Sequence, residues 1–232
     1  MTVEEAIREF IAYSELERGL AKNTVLAYRA DLKEYAVFLK GKRISDAGAI
    51  TRNHIRDFLF WLQSMNLNAS SVGRKLAAIK TFHKFLVRER YVKDDASSDI
   101  ESPRLGLRLP HVLSVDDVES LFRAASGNEL RDIRNTAMLE IFYGCGLRIS
   151  EVANLKISDL NIESAFLKCF GKGSKERIVP LGNHAISAVN KYLTEARPRL
   201  VKSGAAAEKE APLELFLSNR GRKYSRVGLW KL

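Results

Sequence analysis

Gly144-Cys-Gly-Leu-Arg-Ile-Ser-Glu151, followed by Gly171-Lys-Gly-Ser-Lys-Glu-Arg-Ile-Val-Pro-Leu-Gly182, decides how the chain is read. Leu139, Ile141 and Phe142 form the apolar end of an incoming helix. Gly144 and Gly146 permit the backbone angles of a sharp turn. Ser150 and Glu151 then lead into Val152, Ala153 and Leu155, which are spaced for a second helix. Arg148 falls in the first turn of that helix, where a cation opposes the helix dipole. An anion bound at the site would offset that cost. The second half has the period of a β-hairpin. One strand covers 165–170, Gly171-Lys-Gly-Ser174 turns, and Glu176 to Val179 returns. Glycines on both sides place Lys172 at the tip of a finger. Taken singly, Arg148 also fits a surface ion pair, and Lys172 a solvated turn lysine.

Around this core the composition narrows the partner. The chain has 232 residues, enough for one large domain or two modest ones. Lys plus Arg total 38 against 28 Asp plus Glu, a net charge of +10, and the excess is spread evenly on both sides of Leu109. That balance favours a polyanion, nucleic acid first and an anionic membrane surface second, and suits a clamp better than a basic tail. The two cysteines, Cys145 and Cys169, have no metal or disulfide spacing and read as small apolar residues in a reducing compartment. No apolar run reaches spanning length and no signal-peptide core opens the chain, so the expected location is the cytoplasm.

The order of elements predicts a mainly α fold with a small β-sheet, an α+β protein. Thr2-Val-Glu-Glu5 is a capping box with Val3, Ile7, Phe10 and Ile11 on one face behind it, and Gly19 ends the helix. Asn23 or Thr24 caps a second helix with Val25, Leu26, Leu32, Tyr35, Ala36 and Leu39 inward. Thr51 caps a third. Ser70 or Ser71 caps a fourth, carrying Val72, Leu76, Ile79, Phe82 and Phe85. These make a four-helix bundle over 1–92. Its outer faces show Lys22, Tyr28, Arg29 and Lys33 on helix two, and Arg74, Lys75, Lys80, His83 and Lys84 on helix four. Cations at this spacing can track phosphates; they also fit a solvated face. Residues 93–110 lack a period and hold Pro103, Gly106 and Pro110, as a linker does, with Arg104 and Arg108 in reach of phosphate. Ser114-Val-Asp-Asp117 opens the second unit, 111–232. There a helix over 130–142, a short strand over 157–162, a helix over 183–192 and a loop over 201–211 are expected.

Gly-x-Arg-x-x-Glu followed some two dozen residues later by Gly-Lys-Gly-x-Lys-x-Arg-x-Val-Pro-Leu resembles the catalytic domain of the tyrosine recombinases, the phage-integrase family. The whole chain looks like the family's Xer branch. The resemblance implies a SAM-like core-binding bundle followed by a catalytic domain that cuts and rejoins DNA through a 3′-phosphotyrosyl link, without metal or other cofactor. It implies Arg148 as the first of two arginines on the scissile phosphate. Lys172 becomes the general acid, with Lys175 as the second choice. Glu151 gets a structural role beside Arg148, and Arg177 braces the hairpin. The family's second arginine motif and its tyrosine nucleophile fall past Leu232, so no nucleophile is assigned in this chain. Tyr224 reads as a loop residue. The expectation is therefore a truncated recombinase that binds DNA without cutting it alone. Double-stranded DNA, a second recombinase subunit and a DNA translocase are the implied partners, chromosome-dimer resolution is the implied setting, and a tetramer is the family's working unit. The alternatives are a non-catalytic short protein acting at recombination sites and a mobile-element integrase.

Overall fold

In a computed structural model, residues 1–103, 112–171, 176–204 and 212–232 are described. Contacts divide the chain into two compact units, Met1–Pro110 and His111–Leu232.

The first unit is a helical bundle: α1 (Val3–Leu16), α2 (Lys22–Gly41), α3 (Arg52–Ser64) and α4 (Ala69–Arg88), with a 3-10 turn at Ala47–Ala49. The Thr2 and Glu5 side chains cap α1 reciprocally. Thr51 begins α3, with the His54 ring at its backbone nitrogen. Phe10, Tyr35, Phe58, Leu62, Leu76 and Phe82 fill the centre. The bundle holds Ile100 in its core, and Asp99 pairs with Arg52 at 2.6 Å, so the described part of 93–110 packs on it as far as residue 100.

Two helix starts differ from expectation. α2 begins after Ala21, whose side chain makes no capping bond, and not at Asn23 or Thr24. α4 is capped by Asn68, whose side-chain Oδ1 accepts from the Ser71 backbone at 2.8 Å, and not by Ser70 or Ser71. In α4 an earlier competent acceptor starts the helix earlier, whereas α2 starts without a side-chain cap. Leu26, expected inward, is half exposed because α2 turns it off the buried stripe of Val25, Leu32, Tyr35 and Leu39.

The second unit follows the order α5 (Val115–Ala125), α6 (Leu130–Cys145), α7 (Ile149–Asn154), β1 (Leu160–Asn161), β2 (Phe166–Phe170), β3 (Glu176–Pro180), α8 (Asn183–Lys191), a π-helical turn (Tyr192–Ala196), α9 (Arg197–Gly204) and α10 (Arg226–Trp230). Ser114 and Asp117 cap α5 as their spacing predicts. The strands form an antiparallel sheet in the order β1-β2-β3, with Cys169 opposite Arg177 and Phe170 opposite Glu176. Alternation buries Leu167 and Cys169 and turns Lys168 and Phe170 outward, as period two requires. The core runs from Ile133, Ala137 and Ile141 of α6 through Leu167 to Val189, Tyr192 and Phe216.

Here too the differences have local causes. The turn before α7 uses only Gly146, which is left-handed at φ 58°; Gly144 lies inside α6. The expected strand over 157–162 is a 3-10 turn, Ile157–Asp159, and then two residues of β1. Asp159 accepts from the Lys156 backbone at 2.8 Å and closes that turn. Helix continues past Tyr192 to Gly204, so the part of the expected loop at 201–204 is helical; 205–211 lie outside the described residues.

Candidate functional site

Arg148 stands at the junction of α6 and α7. Gly146 reverses the chain, Leu147 is buried as an anchor, and Arg148 takes an extended conformation as the residue capping α7. It therefore lies just outside the helix rather than in its first turn. Glu151, three residues on, reaches back: Oε2 accepts from the Arg148 backbone at 2.8 Å and Oε1 from its guanidinium at 3.1 Å. Glutamate at this position suits the positive end of the helix. The two side chains have opposite surroundings, Glu151 being 5% exposed and Arg148 71%. Among the described residues the Arg148 guanidinium bonds Glu151 alone, and the rest of its planar fork faces solvent.

The partner that completes Glu151 comes from the hairpin. Arg177 on β3 donates to Oε1 at 2.9 Å and to Oε2 at 2.8 Å, a two-pronged grip. Arg177's hydrogen bonds, ahead of those from Arg148, hold the Glu151 carboxyl well below the usual range, at about 2, against the opposing effect of burial. The same contact raises the Arg177 guanidinium. Cys169 lies across the strand pair from Arg177, buried, and burial pushes its thiol up. Such a thiol behaves as a small apolar residue, as expected. Lys172 and Lys175 lie outside the described residues, as do Arg104 and Arg108. Gly171 and Glu176, on either side of Lys172 and Lys175, are described, and Arg177 anchors β3 to the helix that begins after Arg148.

Sequence reasoning missed two buried cations that shape the rest of the unit. Arg134, 1% exposed, donates to the Leu217 carbonyl at 3.1 Å and to Asn219 Oδ1 at 2.6 Å, and sits 5.3 Å from the centre of the Tyr224 ring. Arg197 donates to the carbonyls of Leu215 and Glu214 at 3.1 and 2.8 Å. The Tyr192 hydroxyl accepts from the Leu217 backbone at 3.1 Å. These groups fix the irregular segment leading to α10. Tyr224 is buried within it, its ring beside the Arg134 guanidinium. The sequence signal is weak because the partners are backbone carbonyls and asparagine amides rather than acidic side chains.

On the bundle, Lys22, Arg29 and Lys84 are exposed, Lys80 is half-buried, and Tyr28 packs its ring 5.7 Å from Phe10. Two members of the expected outer face are not there. Lys75 is buried, its Nζ 3.2 Å from Asp31 and also bonded to Glu34. His83 is buried beside Tyr35 and Phe82. Both point into the seam where α4 meets α2 and follow the buried stripe of α4, so Lys75 is an internal counter-charge and not an exposed contact. Arg74 remains half exposed but also bonds Asp31. Among the described residues no His, Cys, Asp and Glu group could hold a metal, and no helix is long and apolar enough to cross a membrane.

The profile described as "Phage integrase, N-terminal SAM-like domain" matches residues 7–90, and that of the "Phage integrase family" matches 111–232. These matches support a site-specific DNA recombinase of the tyrosine type. The chain belongs to the phage integrase family, and within it is similar to proteins named tyrosine recombinase XerD. That of Oceanobacillus iheyensis is 38% identical over 99% of this chain and 76% of its own length; that of Halalkalibacterium halodurans is 37% identical over 100% and 76%. The fold is also that of a lambda integrase (75–356) dimer bound to a COC' core site, with a TM-score of 0.73 at 16% identity over 99% of this chain and 78% of that one.

Proposed function

We propose that Arg148 is the arginine that grips the scissile phosphate and that Lys172, in the sequence between β2 and β3, is the general acid, with Lys175 as the second choice. A tyrosine hydroxyl attacks phosphorus, and the bond to the 5′ oxygen breaks as a 3′-phosphotyrosyl bond forms. The tyrosine gives up its proton to solvent as it attacks, and the lysine donates one to the leaving 5′ oxygen. A 5′ hydroxyl of the partner strand reverses the step, so the bond energy is kept and no ATP, metal or other cofactor enters. Arg148 stabilises the charge that builds on the non-bridging oxygens. The observation that supports this reading is the brace under Arg148: backbone and side chain are both fixed by a buried carboxylate while the fork stays exposed. Nucleophile chemistry is assigned to none of the tyrosines of these 232 residues, so this chain by itself is proposed to bind and grip DNA without cutting it.

Residues 1–92 form the DNA-binding unit, 93–110 the link and 111–232 the catalytic unit. Lys22, Tyr28, Arg29, Arg74, Lys80 and Lys84 contact the duplex. Chromosome-dimer resolution is the proposed setting, with a second recombinase subunit and a DNA translocase as partners and a tetramer on DNA as the working unit. A lambda integrase tetramer has been solved on a Holliday junction.

The test starts from a duplex recovered by selecting bound sequences. Each phosphate in turn is replaced by a neutral methylphosphonate. Wild type is expected to lose about tenfold in affinity at the scissile phosphate, the worth of a charged hydrogen bond. Arg148→Ala is expected to bind the two duplexes equally there. A scan in which no phosphate depends on Arg148 would overturn the reading.

A further inference from the structure

Glu151 accepts four hydrogen bonds, and only two come from Arg148. The other two come from Arg177, 26 residues away on β3, and each prong takes one carboxylate oxygen, at 2.9 and 2.8 Å. Oε1 is shared between the guanidinium groups of Arg148 and Arg177, and Oε2 between the Arg148 backbone and Arg177. A carboxylate 5% exposed with two arginines cannot rotate without breaking a charged bond to each. Without Arg177 it keeps only a neighbour three residues away, and its free lone pairs would draw the Arg148 fork further inward.

We propose that Arg177 is a positioning residue: by occupying the far side of Glu151 it fixes how far the Arg148 fork projects, and it ties β3 to α7 through that carboxylate. The inference rests on the assignment of Arg148 as the phosphate-gripping arginine. Arg177 touches no reacting atom. Its fork geometry is what serves, because a lysine presents one point charge and cannot bridge both oxygens in the same plane. The link also runs both ways: a change in the hairpin is felt at Arg148 through a rigid carboxylate, and a phosphate drawn onto Arg148 tightens the hairpin.

The test uses the same methylphosphonate scan on the whole chain. Arg177→Ala and Arg177→Lys are expected to lose most of the roughly tenfold discrimination at the phosphate that Arg148 senses, while discrimination at all other phosphates stays within about twofold. A residue that merely stabilised the fold would lower affinity at every position together. Full discrimination retained in Arg177→Ala, or its complete recovery in Arg177→Lys, overturns the proposal. A second measurement follows the Glu151 side-chain carboxyl by carbon NMR against pH. Arg177→Ala is expected to raise its midpoint by about one pH unit or more, and by more than Arg148→Ala does. A midpoint unmoved by Arg177→Ala also overturns the proposal. A wild-type scan with no Arg148-dependent phosphate would instead defeat the assignment of Arg148. That failure is recognisable because the Glu151 midpoint would still respond to Arg177→Ala.

Discussion

The carboxylate of Asp31 on α2 accepts from the ammonium of Lys75 on α4 at 3.2 Å, and both side chains are almost fully buried, at 2% and 9% exposure. Arg74 and Glu34 complete the seam on its outer side. A buried charge that loses its partner is costly, of the order of 3–5 kcal/mol. Asp31→Ala should therefore destabilise the bundle by about 3 kcal/mol, the lower end because Glu34 still faces Lys75. Urea unfolding checks this; a change below about 0.5 kcal/mol would mean the seam is open to water.

The same seam separates the basic residues into two sets. Affinity for duplex DNA should fall linearly with the logarithm of salt concentration. Removing Lys22, Arg29 or Lys84 singly should reduce that slope by about 1. Lys75→Met should leave it unchanged, provided binding is measured where the variant is folded. A slope that falls as much in Lys75→Met as in Lys84→Ala would show the lysine reaching phosphate after all.

His83 gives the bundle a pH dependence. Burial against Tyr35 and Phe82 pushes its pKa down to about 4, partly countered by Asp95, and its Nε2 has no hydrogen-bond partner among the described residues. Unfolded, the ring titrates at about 6.5. Between the two values the unfolded state binds more protons, so this contribution to stability is complete above about pH 6.5 and is lost as pH falls towards about 4. His83→Leu should flatten that part of the profile. An unchanged slope from pH 7 to 4 in urea unfolding of the variant would contradict it.

Arg134 carries the second unit's irregular segment. Arg134→Ala leaves the Leu217 carbonyl and Asn219 without this donor and opens a cavity beside Tyr224. The expected loss is about 3 kcal/mol. Arg134→Lys should recover only part of it, since one ammonium cannot serve the spread of acceptors that the fork reaches. Full recovery by lysine, measured by thermal or urea unfolding, would contradict that account.

What could be read from the sequence was whatever is encoded over a few residues. Thr2 with Glu5, Thr51 and Ser114 with Asp117 announce helix starts, because each cap and its partner lie within one turn. The hairpin was legible from its period of two, and Arg148 with Glu151 from a spacing of three. Ala21 carries no capping side chain, so the start of α2 left no signal. Lys75 and His83 read as outward among the basic residues of α4; what places them inside is Asp31, 44 residues before Lys75, and the aromatic stripe around Tyr35. The brace from Arg177 to Glu151 likewise spans 26 residues and depends on the hairpin folding back over α7. Arg197 pairs with backbone carbonyls, which every residue has, and Arg134 with the Leu217 carbonyl and the side-chain amides of Asn135 and Asn219, so no acidic partner marked either.

The central claim is that Arg148 stabilises the transition state at phosphorus. The direct measurement is the single-turnover rate of strand cleavage by an active form of the protein, for wild type and for Arg148→Ala at saturating DNA. Loss of one preorganised donor of this kind costs about a hundredfold to a thousandfold. The account predicts a fall of at least about a hundredfold, with DNA still bound. Cleavage close to the wild-type rate would contradict it.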